Sequence, residues 1–312
     1  VTASHTTTGV AQKAAPRRFA MERQDAIALL ALLPAVLLFV SVTLIPLGWA
    51  FNASLHLIDP FSPDWEWTGI GQYADVLSRA EFWRASLRSL VFGAASTALQ
   101  LCFGILIAVA LNRPFPGTSL VRAMVFVAYL LPPIVIALTF KWMTLAQNGV
   151  INDILLKVGI LSKPVPFFGT PETALAALVF VASWQYTGFV TLMVIARLQS
   201  IPDRLYDAAR MDGAGPVRQF FDITLPQIRS VVLVVLLLRF VWMFNKFDLL
   251  YTTTKGGPGE STRTLPIYIF ETAFTNFELG AAAAIAMLLF VQLLVVAIIF
   301  FMVSGPDTET RT

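Results

Sequence analysis

Arg239, Met243 and Lys246 follow the spacing i, i+4, i+7, which stacks them on one face of a helix. The stretch around them, 230–251, is otherwise apolar apart from Asp248. A charge at the centre of a membrane-spanning helix costs about 2.5–3.5 kcal/mol. Such side chains face protein or a water-filled cavity. Arg239 lies nine residues past Ser230, roughly 13 Å along a helix, and is the deepest charge in the chain. It could line a solute pathway or form an ion pair with a neighbouring subunit. Asp248 projects to the opposite side, so an internal Arg239–Asp248 pair is not expected. Lys246 and Lys141 sit nearer the outer surface, where they can snorkel. Trp184, Gln185 and Tyr186 offer an aromatic face for C–H groups and an amide for hydroxyls, which suits a polyol, although such residues more often pack the bundle. Gln100 and Gln292 are lone mid-span amides that would bridge helices, worth around 1 kcal/mol each.

Other chemistries are missing. The single cysteine, Cys102, excludes a disulfide framework, and two histidines leave little for a metal site. No P-loop, dinucleotide-binding, zinc-protease or nucleophile-elbow pattern occurs. The run Lys255-Gly256-Gly257-Pro258-Gly259 lacks the Lys-Ser/Thr ending of a phosphate loop and reads as a tight turn. A net charge of +3 gives no reason to expect nucleic acid. The chain is therefore not expected to be an enzyme, and any uphill transport must draw its energy from a partner or an ion gradient.

The elements that hold these residues follow from composition. The chain has 312 residues, 57% hydrophobic and 13% charged, with mean hydropathy +0.73. Soluble domains are roughly 45–50% apolar and about 25% charged. A cytosolic enzyme, a secreted globular protein and a disordered chain are all excluded. Crossing a bilayer takes roughly 20 apolar residues of helix. Stretches 26–49, 89–111, 123–140, 173–196, 230–251 and 279–303 qualify, the third continuing to Leu145 and the fifth interrupted by charges. The expected fold is all-α and integral to the membrane, with six transmembrane helices. A tail over 1–25 precedes a transmembrane domain over 26–303, and a tail over 304–312 follows. The first span is too long for the core of a cleaved leader and reads as a retained anchor. Pro132-Pro133 must bend the third helix. With the N-terminus inside, the cytoplasmic side carries twelve Lys and Arg and the outer side seven, so both termini are expected to be cytoplasmic. Trp65, Trp67 and Trp83 in the first outer loop suit the headgroup level or a stacked ligand.

The connection 197–229 carries five arginines and four aspartates. Asp203 is placed as an N-cap for a helix over 204–212 that Gly213 can close. Gly215-Pro216 starts a second helix running past Phe220 and Phe221 to Ile223, and Leu225-Pro226 is expected to end it. The result is a cytoplasmic helix–turn–helix between the fourth and fifth spans. It could dock on a protein or lie on lipid headgroups, with Arg204, Arg210 and Arg218 on phosphates.

Asp207-Ala208-Ala209, then Gly213, then Ile223, Leu225 and Pro226 resemble the loop pattern of ABC-importer permeases: Glu-Ala-Ala, three residues, Gly, nine residues, Ile-x-Leu-Pro. Every spacing agrees, and Asp207 replaces the family's Glu. Met211-Asp212-Gly213-Ala214-Gly215-Pro216, Phe244-Asn245-x-Phe247-Asp248 and Gly69-Ile70-Gly71-Gln72-Tyr73 are similar to the sugar-uptake, maltose-permease-like branch. The resemblance implies a subunit of a binding-protein-dependent importer in a bacterial or archaeal cytoplasmic membrane. The loop would be the coupling helix, with Asp207, Ala208, Ala209, Gly213, Ile223, Leu225 and Pro226 seated on an ATPase subunit. The implied partners are a second homologous permease subunit, two ATPase subunits and an extracytoplasmic solute-binding protein. No cofactor is implied on this chain, ATP and Mg belonging to the ATPases. Solute contacts are implied at Arg239, Met243 and Lys246 in the fifth span and at Gln185, Tyr186 and Phe189 in the fourth. The residue types differ from the maltose pattern, so the place is implied but the solute is not: an oligosaccharide, a polyol, or an anion such as a glycerophosphodiester. The alternatives are an ion-coupled secondary transporter titrating Asp248 or Lys246, and a receptor or scaffold that transports nothing.

Overall fold

The computed structural model describes residues 23–59, 64–113 and 115–304. The tails expected over 1–25 and 304–312 fall almost wholly outside the described residues. The chain divides into two compact units, Val1–Trp49 and Ala50–Thr312.

In the first unit, α1 (Arg23–Phe39) contains Pro34 and passes through a π-helical turn at Val40–Leu44. Helix α2 (Ile45–Ala53) follows. Residues 30–49 are exposed and overwhelmingly apolar, as a lipid-facing helix requires.

The second unit places a hairpin, β1 (His56–Ile58) and β2 (Trp65–Trp67), before α3 (Gly71–Ser78) and α4 (Ala80–Leu111). Helices α5 (Thr118–Leu130) and α6 (Pro133–Met143) meet at a 97° bend. Next come α7 (Val150–Lys157) and α8 (Pro171–Leu198), then α9 (Asp203–Met211) and α10 (Pro216–Gln219). A π-helical turn at Phe220–Thr224 leads into α11 (Leu225–Phe244). Helices α12 (Asp248–Thr254), α13 (Leu265–Phe274) and α14 (Leu279–Ser304) complete the fold. Five of these helical stretches are long and apolar enough to cross a bilayer, and the bent α5–α6 pair brings the number to six at most.

Helix α8 is the most enclosed element and packs along α4. Small residues let the backbones meet. A Cβ on Gly104 would sit 2.6 Å from Val190, and one on Gly188 would sit 2.6 Å from the Val125 carbonyl oxygen. The hydroxyls of Ser183, Thr187 and Thr191 donate to the carbonyls of Val179, Ser183 and Thr187, four residues back, so α8 carries polar groups through its core without stranding them. Arg79 joins Asp75 at 2.5 Å and Glu278 at 2.8 Å, tying the α3–α4 junction to the start of α14. Burial opposes the charge on Arg79, but hydrogen bonds to Glu278 and Asp75 hold it above the ordinary guanidinium range.

Four sequence expectations need correction. The fold is not strictly all-α, because β1 pairs antiparallel with β2, His56 opposite Trp67 and Ile58 opposite Trp65. Asp203 is the first residue of α9 and makes no capping bond, Pro202 holding the cap position. Leu225-Pro226 does not end a helix. The π turn, in which Leu225 N–H donates to the Phe220 carbonyl, absorbs the donor that proline lacks, and the helix runs on. Finally, 230–251 is not one helix, since α11 stops at Phe244 and α12 restarts at Asp248.

Candidate functional site

Arg239 is 1% exposed and Gln100 is fully buried. Arg239 Nε donates to Gln100 Oε1 at 2.7 Å, joining α11 to α4. Arg239 Nη2 approaches Met243 Sδ at 3.8 Å. The guanidinium carbon lies 4.7 Å from the Tyr186 ring centre, 5.3 Å from Trp242 and 5.7 Å from Phe189. Such contacts stabilise a cation by about 2 kcal/mol or more when desolvated. Tyr129 of α5 stacks on Phe189 at 5.7 Å and meets Tyr186 edge-on at 6.0 Å. Rings from α8 and α11 thus surround one arginine, with Tyr129 of α5 packed against two of them.

A cavity of about 670 Å³ opens beside it, lined by Tyr129, Tyr186, Arg239, Trp242, Met243 and Lys246, with Leu131–Pro133 and Asp248 on its wall. Lys246 is not on the α11 face projected from its spacing. It sits in the break between α11 and α12, where its Nζ lies 4.8 Å from the Tyr186 ring and 2.9 Å from Asp248 Oδ1. Arg239, Met243, Lys246 and Tyr186 therefore share one wall although the helix does not continue. Gln185 and Phe189 do not line the cavity. Gln185 is fully buried and donates from Nε2 to the Leu131 carbonyl at 3.1 Å. That carbonyl stands at the end of α5, where Pro132-Pro133 breaks the helix, so Gln185 pins the bend. Gln292, the other mid-span amide, accepts a hydrogen bond from Ser86 at 3.0 Å and bridges α14 to α4.

The second region is the elbow formed by α9 and α10. Gly213 has φ +77°. Gly213 N–H donates to Arg210 O at 3.0 Å, and Ala214 N–H donates to Ala209 O at 2.8 Å. These two bonds form a Schellman closure. A Cβ at Gly213 would meet no atom within 4 Å, so glycine is required by its dihedral angle and not by crowding. Asp207 pairs with Arg210, and Arg218 with Asp222, all on exposed side chains. Tyr206 and Thr224 hydroxyls bond at 3.0 Å, closing α9 against the π turn. Ala208 is exposed, Ala209, Ile223 and Leu225 are half-buried, and Pro226 is exposed. Met211 is 88% exposed and Val217 72%, so the elbow carries an apolar tip.

Residues 100–304 match the family described as binding-protein-dependent transport system inner membrane component. The chain belongs to this family. As an inner membrane component of an ABC importer, it is a permease subunit and not the ATPase. The match covers the elbow, Gln100 and the cavity. The permease is 35% identical over 275 residues to the trehalose/maltose transport system permease protein MalF of Thermococcus litoralis, covering 88% of this chain and 91% of that one. It is 31% identical over 265 residues to the sulfoquinovosyl glycerol transport system permease protein SmoG of Agrobacterium fabrum, covering 85% of each. Its fold matches a bacterial ABC transporter involved in import of the acidic polysaccharide alginate, with TM-score 0.78 and 21% identity over 92% of this chain and 98% of that one.

Sequence reasoning about the permease gave one role without its partner and missed another. Gln100 was legible as a bridging amide, but its partner lies 139 residues away. Trp242 carried no signal that it covers a cation.

Proposed function

We propose that this permease carries a sugar or sugar-like solute across a prokaryotic cytoplasmic membrane by alternating access. The α9–α10 elbow is the cytoplasmic coupling element, and both termini are cytoplasmic. The observation that carries this reading is the elbow itself. The seven motif residues run from Asp207 in α9 through Gly213 and the π turn to Pro226 at the start of α11, and the elbow between them has an exposed apolar tip. The helix from Pro216 to Phe244 links that tip to the cavity. ATPase subunits holding ATP and Mg bind the elbow, and their closure moves it. A second permease subunit completes the pathway, and an extracytoplasmic binding protein delivers the solute. Relatives named for trehalose/maltose, sulfoquinovosyl glycerol and diacetylchitobiose transport support the sugar class. Arg239, Met243, Lys246 and Tyr186 face the solute, while Gln185 and Phe189 hold that wall from behind.

The test is purification of the complex from its own membranes, followed by ATP hydrolysis in proteoliposomes with the solute-loaded binding protein. Wild type retains an ATPase subunit and is stimulated. Gly213→Val, which a β-branched residue at φ +77° cannot accommodate without strain, loses the stimulation. Full stimulation in that variant, or a wild-type complex with no ATPase, removes the reading.

A further inference from the structure

Among the described residues, one cation of the cavity wall lacks a counter-charge. The cavity wall carries three formal charges, Arg239, Lys246 and Asp248. Asp248 neutralises Lys246 at 2.9 Å. Arg239 makes no ion pair among the described residues, and its hydrogen-bond acceptors are a neutral amide and a thioether sulfur. An arginine stays protonated even when buried, so the cavity holds one net positive charge. A buried cation is ordinarily paired, because desolvation penalises it otherwise. The three rings around Arg239 orient and partly stabilise the guanidinium but do not cancel its charge.

The hydrogen bonding is also incomplete. Gln100 spends its Oε1 on Arg239 Nε, which fixes the plane of the guanidinium. Arg239 Nη1 makes no hydrogen bond among the described residues, and Gln100 Nε2 is buried without a partner. Two adjacent side chains thus leave donors open at the one charge of the cavity wall that has no ion pair among the described residues. A guanidinium edge binds carboxylate, sulfonate or phosphate in a two-pronged geometry. Next to it, Tyr186 and Trp242 line the same cavity and present ring faces suited to the C–H face of a sugar.

We infer that the solute is an acidic saccharide or glycoside whose carboxylate, sulfonate, sulfate or phosphate group pairs with Arg239, and that Gln100 is the positioning residue for that pairing. This rests on the importer reading above and narrows its solute class. The competing source of negative charge is a carboxylate of the second permease subunit. The cavity favours the solute, because Arg239 contributes to its wall together with the sugar-compatible rings.

The intact detergent-solubilised complex is titrated with glucuronate, glucose 6-phosphate and glucose 6-sulfate, and with glucose as the uncharged match. Tryptophan fluorescence is the readout, and Trp242→Phe assigns the signal to the cavity. At least one acidic sugar should act at a concentration tenfold or more below glucose. Arg239→Gln should erase that preference, and Arg239→Lys should retain part of it. Gln100→Glu, which supplies an internal carboxylate at Nε, should weaken the acidic sugar tenfold or more while the complex stays assembled. The inference fails if glucose matches the acidic sugars, if none of the four responds, or if Gln100→Glu leaves the preference intact. It also fails if Arg239→Gln sheds the second permease subunit, since the counter-ion would then be that subunit's carboxylate. Failure of the importer reading would show separately, as a wild-type complex lacking an ATPase.

Discussion

Arginine does opposite work in the elbow and in the cavity. On the elbow, Arg210 and Arg218 are exposed and each is answered by a carboxylate three or four residues away. In the cavity wall, Arg239 is buried and answered by an amide from another helix. Exposed pairs contribute about 0–1 kcal/mol and are exchanged for new partners at little cost. Such pairs suit the docking role proposed above for the elbow. Asp207 is the clearest case, because it is already paired with Arg210 and the proposed docking asks only for an exchange. A buried cation is different, because its environment is built once and has to be completed from outside the chain. The comparison separates residues that make contact reversible from a residue that makes contact selective.

The strongest way to sharpen that contrast is Gln100→Leu. It removes the one strong acceptor from a buried charge, and hydrogen bonds to charged groups are worth about 1.5–3 kcal/mol. A clear drop in the thermal unfolding midpoint of the purified complex is expected, and a midpoint equal to wild type would show that Arg239 does not need this partner. Gly188→Val should cost about 1–3 kcal/mol by overpacking, because its Cβ would press on the Val125 carbonyl. Differential scanning of the same complex reads it. Gly213→Ala should cost about 1 kcal/mol, through its left-handed dihedral angle and not through contact. Gly213→Asn should recover part of that loss, and equal losses for Ala and Asn would argue for crowding by a docked partner. The smallest effect is expected for Arg218→Ala, below about 0.5 kcal/mol in the same unfolding assay. Asp207→Asn should be as mild in unfolding yet lower ATPase co-purification several-fold, and unchanged co-purification would remove Asp207 from the docking surface.

Much of this architecture was legible in the sequence because a bilayer imposes a length and polarity on any helix that crosses it. Stretches 89–111, 173–196 and 279–303 fall within α4, α8 and α14. Gly213 was legible because only a left-handed residue closes α9 in that way. What escaped depends on partners distant in the chain. Periodicity assumes an unbroken helix, so it placed Lys246 on the Arg239 face. The break at Asn245–Phe247 is supported by Asn245 Nδ2 bonding back to the Val241 carbonyl and by Lys246 reaching Asp248. Pro132-Pro133 announced a bend, but the 97° angle depends on where α6 packs against α12. The hairpin was hidden because each of its strands is only three residues long. Residue type left Gln185 open between solute contact and helix packing, and the fold shows its amide donating to the Leu131 carbonyl.

The π turn at Phe220–Thr224 has a mechanical consequence. It lets helical backbone run for 29 residues from Pro216 to Phe244, about 43 Å at the usual rise, with no swivel along the way. The first slack in that strut is the three-residue gap at Asn245–Phe247, beside Lys246 and Asp248. Under the coupling role proposed above, a push on the elbow travels along this rod, and flexure gathers where the rod meets the cavity wall.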